Sequence, residues 1–307
     1  MRRKHKPNRR KVNGILLLDK PSGLTSNAVL QQVKYLYFAE KAGHTGSLDP
    51  LATGMLPICF GEATKYSQYL LDADKTYLVK AKLGVRTTTS DAEGEVVATK
   101  PVPTLTLPQL DQAFEDFRGE VKQIPSMYSA LKYQGKPLYY YARNNIEVPR
   151  KERMITVYQL DVIDYVDEIV TFTVKCSKGT YVRTIADDFG EAIGCGAHVI
   201  ELRRTQVGNF VATDMATLTN LESLKADAKF QEMDDLLLPV DTAVACWPSV
   251  FLNEDLLFYI QQGSPVLVPN VPQVHWLRLH SKAGEFIGIG ELLDDGMVAP
   301  RRLVAQY

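Results

Sequence analysis

The sequence predicts an α+β protein: a large domain of irregularly ordered strands and helices, followed by a small β-rich module. Three observations carry this. Apolar alternation at 77–83 and again around 154–176 is separated by helical stripes without a regular βαβ repeat. From about residue 250 the chain becomes a series of short apolar runs broken by Gly and Pro. The 307 residues, 45% hydrophobic and 23% charged, suffice for one large core and one small one.

Residues 14–18 read as a short buried strand, closed by the turn composition Asp19-Lys20-Pro21-Ser22-Gly23. Thr25 or Ser26 can cap a helix whose Val29, Val33, Leu36 and Tyr37 recur at three- and four-residue spacing. Residues 43–61 carry four glycines and two prolines without a sustained period, and are expected to be a loop held in a specific path. Tyr77, Val79, Ala81 and Leu83 alternate with more polar neighbours as a half-buried strand does. A hairpin-like stretch with Asp91 near its turn follows, then a helix opened by Pro108 and striped by Leu110, Ala113, Phe114 and Phe117.

Residues 122–153 interleave Tyr128, Tyr133, Tyr139, Tyr140 and Tyr141 with basic side chains. Such a mixture can stack bases and contact phosphates, and it can equally pack a long surface excursion. Strands are expected at 154–162 and 169–176. Then comes a helix whose Val182, Ile185, Ala186, Phe189 and Ile193 share a face, with Gly194 as its C-cap and Arg183 off that face. A polar helical stretch at 214–235 leads to the final module, whose start is expected near residue 250.

The formal charge of −1 is unusual for a nucleic-acid binder, but it hides a distribution. Residues 2–11 hold seven Lys and Arg and no acid, so without them the charge is −8. This composition suits phosphate binding and suits a flexible solubilising end. The four cysteines are too widely spaced for a zinc knuckle, which points to a reducing compartment. No apolar run approaches the roughly 20 residues a bilayer needs, and no h-region follows the basic start, so the expected location is cytoplasmic.

Asp49 stands out because Gly46 and Gly54 bracket its loop and Pro50 follows it. A loop Asp can serve an Asx-turn or carry chemistry, and no P-loop, metal motif or Ser-His-Asp order competes with it elsewhere. The segment Gly43-His44-Thr45-Gly46-Ser47-Leu48-Asp49-Pro50-Leu51-Ala52-Thr53-Gly54 resembles the signature of the TruB family of tRNA pseudouridine synthases. Further matches are Asp19-Lys20-Pro21-Ser22-Gly23, Asp74-Lys75-Thr76-Tyr77, Lys178-Gly179-Thr180-Tyr181-Val182-Arg183, and Gly196-Ala197-His198 with Leu202-Arg203-Arg204-Thr205. The resemblance is strong over 13–210, and the C-terminal end looks like the PUA module of bacterial members.

The resemblance implies a catalytic domain built on a mixed or antiparallel sheet with flanking helices over residues 13–249, preceded by a basic tail (1–12) and followed by a PUA-like RNA-binding domain (250–307). It implies an isomerase that converts uridine 55 in the T loop of tRNA to pseudouridine, with Asp49 as the catalytic carboxylate. Arg183 would pair with Asp49, Tyr77 would stack on the target base, and Leu202 would line the pocket. His44 would fill the space the flipped uridine leaves, with Tyr181 as a further RNA contact. Lys20, Pro21 and Gly46 would be scaffold. The insertion at 122–153 would clasp the T arm, with Lys132, Lys136, Arg143, Arg150, Lys151 and Arg153 as candidate contacts, and the PUA-like end would reach toward the acceptor stem.

An isomerisation needs no redox cofactor or energy source, and the expectation is no cofactor, no metal, no guide RNA and no obligate protein partner. Rival readings are an RNA-folding protein of the same fold, a guide-dependent relative, and an unrelated glycosidase using Asp91 as its second carboxylate. Whether Asp49 adds to C1' or removes the C2' proton stays open.

Overall fold

The computed structural model describes residues 9–305. Ten strands form one sheet: β1 (Gly14–Lys20), β2 (Ala42–His44), β3 (Thr53–Phe60), β4 (Lys75–Leu83), β5 (Gly119–Gln123), β6 (Arg153–Val166), β7 (Ile169–Cys176), β8 (Ala197–Val207), β9 (Phe210–Val211) and β10 (Ala216–Thr217). The order is β10-β1-β3-β8-β4-β7-β6-β5, with β2 pairing β3 and β9 pairing β8. The β1/β10 and β3/β8 pairs are parallel and the others antiparallel, so the sheet is mixed, as expected.

Two helices bear on the site. Helix α1 (Ser26–Leu36) starts at Thr25, whose hydroxyl accepts the Ala28 N–H, and buries Val29, Leu30, Val33 and Leu36. Helix α2 (Val182–Ile193) buries Val182, Ile185, Ala186 and Phe189 and ends at Gly194, which adopts φ +91°. Phe114 stacks on Phe189 with centroids 3.6 Å apart, tying the preceding Leu107–Ala113 helix to α2. These apolar faces meet one side of the sheet in the main core.

One expectation is corrected. The 43–61 segment is not a continuous loop, because residues 53–60 form β3, nearly all buried. β1 pairs along one edge, and β8 (at 53–54) and β2 (at 58–60) pair along the other, so its glycine and proline are enclosed. Only about eight residues, 45–52, remain as the loop bearing Asp49.

The sheet's opposite side packs on the C-terminal module through Ile15, Leu17, Met55, Tyr66, Val244 and Ile289. That module is a five-stranded sheet beginning at Ser249–Leu252, with a helix at Glu254–Gln261. Residues 1–8 of the predicted basic tail lie outside the described residues. The tail's last residues differ from a free end. The Arg10 N–H bonds Phe38 O at 2.8 Å, its guanidinium pairs with Asp234, and Val12 is buried. No helix among the described residues is long and apolar enough to cross a membrane.

Candidate active site

The strand register assembles the site before any side chain is considered. Lys20 on β1 pairs with Gly54 on β3, Gly54 with Arg204 on β8, and Arg204 with Tyr77 on β4. Paired residues point to the same face, so Lys20, Arg204 and Tyr77 emerge side by side on the face that α2 covers. Two residues away on each strand, Leu202 pairs with Val79 and belongs to the main core. Gly54 is required by this crowding: a Cβ there would lie 2.2 Å from Arg204 O.

The loop bearing Asp49 leads directly into β3, and its path is fixed by bonds to all sides. Ser26 at the start of α1 donates to Leu48 O (3.0 Å) and accepts the Leu48 N–H (2.7 Å). Lys20, fully buried, donates to Pro21 O at 2.8 Å and Pro50 O at 3.2 Å. Burial lowers the Lys20 pKa to about 8, while Asp49 pulls it upward. Arg204, also buried, donates to Met55 O (2.7 Å) and Gly46 O (3.1 Å), and it hydrogen-bonds the Tyr77 side chain. The aspartate is therefore presented by a held backbone, which answers the Asx-turn alternative: its own carbonyl accepts the Ala52 N–H, and its carboxylate goes elsewhere.

That partner is Arg183. Its Nε lies 2.9 Å from Asp49 Oδ2, and the arginine side chain is 4% exposed against 40% for the aspartate. The remaining donors are engaged too: Nη1 with Asp91 Oδ2 (3.1 Å) and Thr89 O (2.8 Å), Nη2 with Tyr128 O (3.0 Å). The guanidinium is thus fastened from behind, and the carboxylate it aims stays accessible. Desolvation in the cleft raises the Asp49 pKa, opposed chiefly by Arg183.

Several readings are settled by this geometry. Arg183 is no surface arginine, since the first turn of α2 faces the hairpin bearing Asp91 as well as the core. Asp91 is unsuited as a second glycosidase carboxylate. It is 3% exposed, salt-bridged to Arg183, and accepts the Thr89 hydroxyl and the Glu93 N–H. The family resemblance of KGTYVR pointed to Arg183, but nothing local signalled that Asp91 would be its second carboxylate partner.

His44, on β2, is partly exposed, and its Nδ1 is buried without a hydrogen-bond partner. Burial and the Arg204 charge both lower its pKa, so the ring is neutral at pH 7. Tyr181 precedes α2; its N–H donates to Gln123 Oε1 (2.8 Å) and its carbonyl accepts from Gln123 Nε2 (3.0 Å). Arg153 stands 5.8 Å from the Tyr181 ring centroid.

The insertion is a small hairpin (132–137) and a short helix (Leu138–Arg143). Lys136 covers the Tyr140 ring at 4.1 Å and Arg143 the Tyr139 ring at 5.6 Å. Arg150 donates to Pro125 O at 3.1 Å, and Lys132 and Lys151 are exposed. Beneath the insertion a cleft of about 700 Å³ is lined by Arg86, Tyr128, Ile146, Arg150 and Asp187, apart from Asp49 and Tyr77.

Comparison with known proteins accounts for nearly the whole chain. Residues 34–182 match the family model "TruB family pseudouridylate synthase (N terminal domain)". Residues 183–245 match "tRNA pseudouridylate synthase B C-terminal domain" and 248–304 "Pseudouridine synthase II TruB, C-terminal". The chain is 56% identical over 312 residues to tRNA pseudouridine synthase B of Vibrio parahaemolyticus, covering 99% of this chain and 97% of that protein. It is 52% identical over 296 residues to its counterpart in Coxiella burnetii (strain RSA 493 / Nine Mile phase I), covering 96% of each.

Among solved structures, a Cbf5-Nop10-Gar1 complex aligns with a TM-score of 0.71 at 23% identity, over 99% of this chain and 90% of that one, a likeness of fold. With family models matched from residue 34 to residue 304, the chain belongs to the TruB family of tRNA pseudouridine synthases.

Proposed function

We propose that this enzyme acts on uridine 55 in the T loop of tRNA, and that Asp49 is its catalytic group. The observation that carries the reading is the Asp49–Arg183 pair, an accessible carboxylate oriented at 2.9 Å by a buried guanidinium. The uridine must leave its stack to reach such a carboxylate. The C1'–N1 bond breaks, the freed base turns, and C1' joins C5, after which the C5 proton leaves. Asp49 serves either by adding to C1' or by removing the C2' proton, and in both roles it must be ionised.

Tyr77 supplies a ring against the base, with its hydroxyl held by Arg204. His44, neutral and with Nδ1 unpartnered, suits the place of a displaced uracil better than that of a phosphate. The tyrosine-rich insertion clasps the T arm and the C-terminal module contacts RNA toward the acceptor stem. We place the reaction in the cytoplasm, with no guide RNA and no obligate protein partner.

The test is mass-resolved mapping of pseudouridine in an unmodified tRNA transcript incubated with the protein alone, beside Asp49→Ala. Conversion at uridine 55 by the parent and none by the variant is expected. Tight tRNA binding without conversion by either would favour an RNA-folding role or a missing guide.

A further inference from the structure

At the end of α1 remote from the catalytic loop, the chain exposes two aromatic rings that its core does not use. Tyr35 is 67% exposed and Phe38 is 40% exposed, with ring centroids 5.9 Å apart. Phe38 adopts φ +52°, the left-handed region that disfavours a bulky side chain and where Gly or Asn is usual. A phenylalanine that is both strained and exposed gains little from the fold that holds it. On backbone grounds the position favours a small polar residue, and the ring meets Tyr35 and Lys225 within the chain while leaving its remaining surface to solvent.

The surroundings indicate what suits that surface. The Lys225 ammonium lies 3.6 Å from the Tyr35 ring centroid and 4.5 Å from that of Phe38. Arg9, Gln31 and Lys34 join the two rings in lining a shallow depression of about 150 Å³. Arg9, the first described residue, is among those lining it. Of the acidic groups nearby, Asp234 is held by Arg10 and Glu222 lies one turn before Lys225 on the Leu218–Ala226 helix, while Glu40, two residues beyond Phe38, is exposed. In a body of formal charge −8 without residues 2–11, this corner gathers cations around aromatic faces.

We infer that the Tyr35/Phe38 shelf is a second RNA-docking site, which stacks an unpaired base of the bound tRNA while Arg9, Lys34 and Lys225 hold flanking phosphates. An aromatic face stacks a base of any sequence, and cations at its margin contact the phosphates. Helix α1 has eleven residues and so places the shelf about 16 Å along its axis from the Ser26–Leu48 contact. That separation is small beside a tRNA, so one RNA can engage both places. The inference rests on tRNA being the substrate.

The experiment uses the full-length protein, an unmodified tRNA transcript and Tyr35→Ala/Phe38→Asn, with Lys34→Ala/Lys225→Ala alongside. Affinity is measured across a salt series. Asparagine suits the left-handed backbone, so a thermal melt no lower than the parent's checks that Phe38→Asn itself folds soundly. Roughly tenfold weaker binding by the aromatic pair is expected. For the lysine pair the plot of log affinity against log salt should flatten by about 0.7–0.9 per lost contact. Parental affinity and slope in both would overturn the inference. Conversion by the parent, measured on the same transcript, tests the catalytic reading separately.

Discussion

Arg183 reaches two carboxylates and two carbonyls at once, and only a planar, branched cation can do so. Arg183→Lys keeps a charge but gives up that span, so kcat for pseudouridine formation should fall by about 100-fold or more, on the scale of losing one oriented donor. Arg183→Gln goes further, leaving Asp91 buried without its cation, and should cost about 3–5 kcal/mol in urea unfolding. The pH profile follows with a definite sign. In the proposed reaction Asp49 acts as the carboxylate, and desolvation raises its pKa, so activity should fall as pH drops through a value above the usual 3.8. Because Arg183 opposes that rise, the acid limb of kcat/KM for the residual activity of Arg183→Gln should lie at higher pH than the parent's. An unmoved limb would mean the ionisation seen is not that of Asp49.

At the scale of elements, α2 must lie close against β8 for Arg183 to meet the Asp49 loop. Gly190 makes that approach possible, since a Cβ there would stand 2.1 Å from Ala197 N. Gly190→Ala should therefore push the helix off the strand, destabilise the protein by about 1–3 kcal/mol, and lower activity through Arg183; melting and turnover measured together would show it. Helix α2 was legible in the sequence because its apolar face has a clear period and Gly194 closes it. Strand β3 was not, because its flanking and internal Gly and Pro hide an enclosed strand behind loop composition. The site divides the same way. Asp49, Tyr77 and Arg183 lie in contiguous motifs, whereas Arg204 joins Gly46 across 158 residues and Arg183 joins Thr89 across 94, contacts that arise only from register and packing.

For the whole molecule, the large sheet and the C-terminal module are joined by interlocked aromatics, so the RNA contacts proposed for each would lie on one packed body. Trp247 stacks on Trp276 at 5.4 Å, Tyr69 meets Trp247 edge-on at 4.8 Å, and Tyr66 donates to Arg302 O at 3.0 Å. A nearly neutral chain must then bind a polyanion through local clusters, of which the N-terminus is the densest in sequence. Arg10 is tied to Asp234 and Val12 is buried, and both of these anchoring residues are retained in a deletion of residues 2–8. They carry Arg2, Arg3, Lys4 and Lys6. Their deletion should weaken tRNA binding most at low salt and flatten the salt dependence by up to about 3.6, since each phosphate contact contributes roughly 0.9 to the slope. Single-turnover conversion at saturating enzyme should keep its rate, because none of those residues belongs to the Asp49 site. An unchanged slope would assign the tail to solubility, and tRNA would then be held by the insertion, the C-terminal module and the shelf at Tyr35 and Phe38.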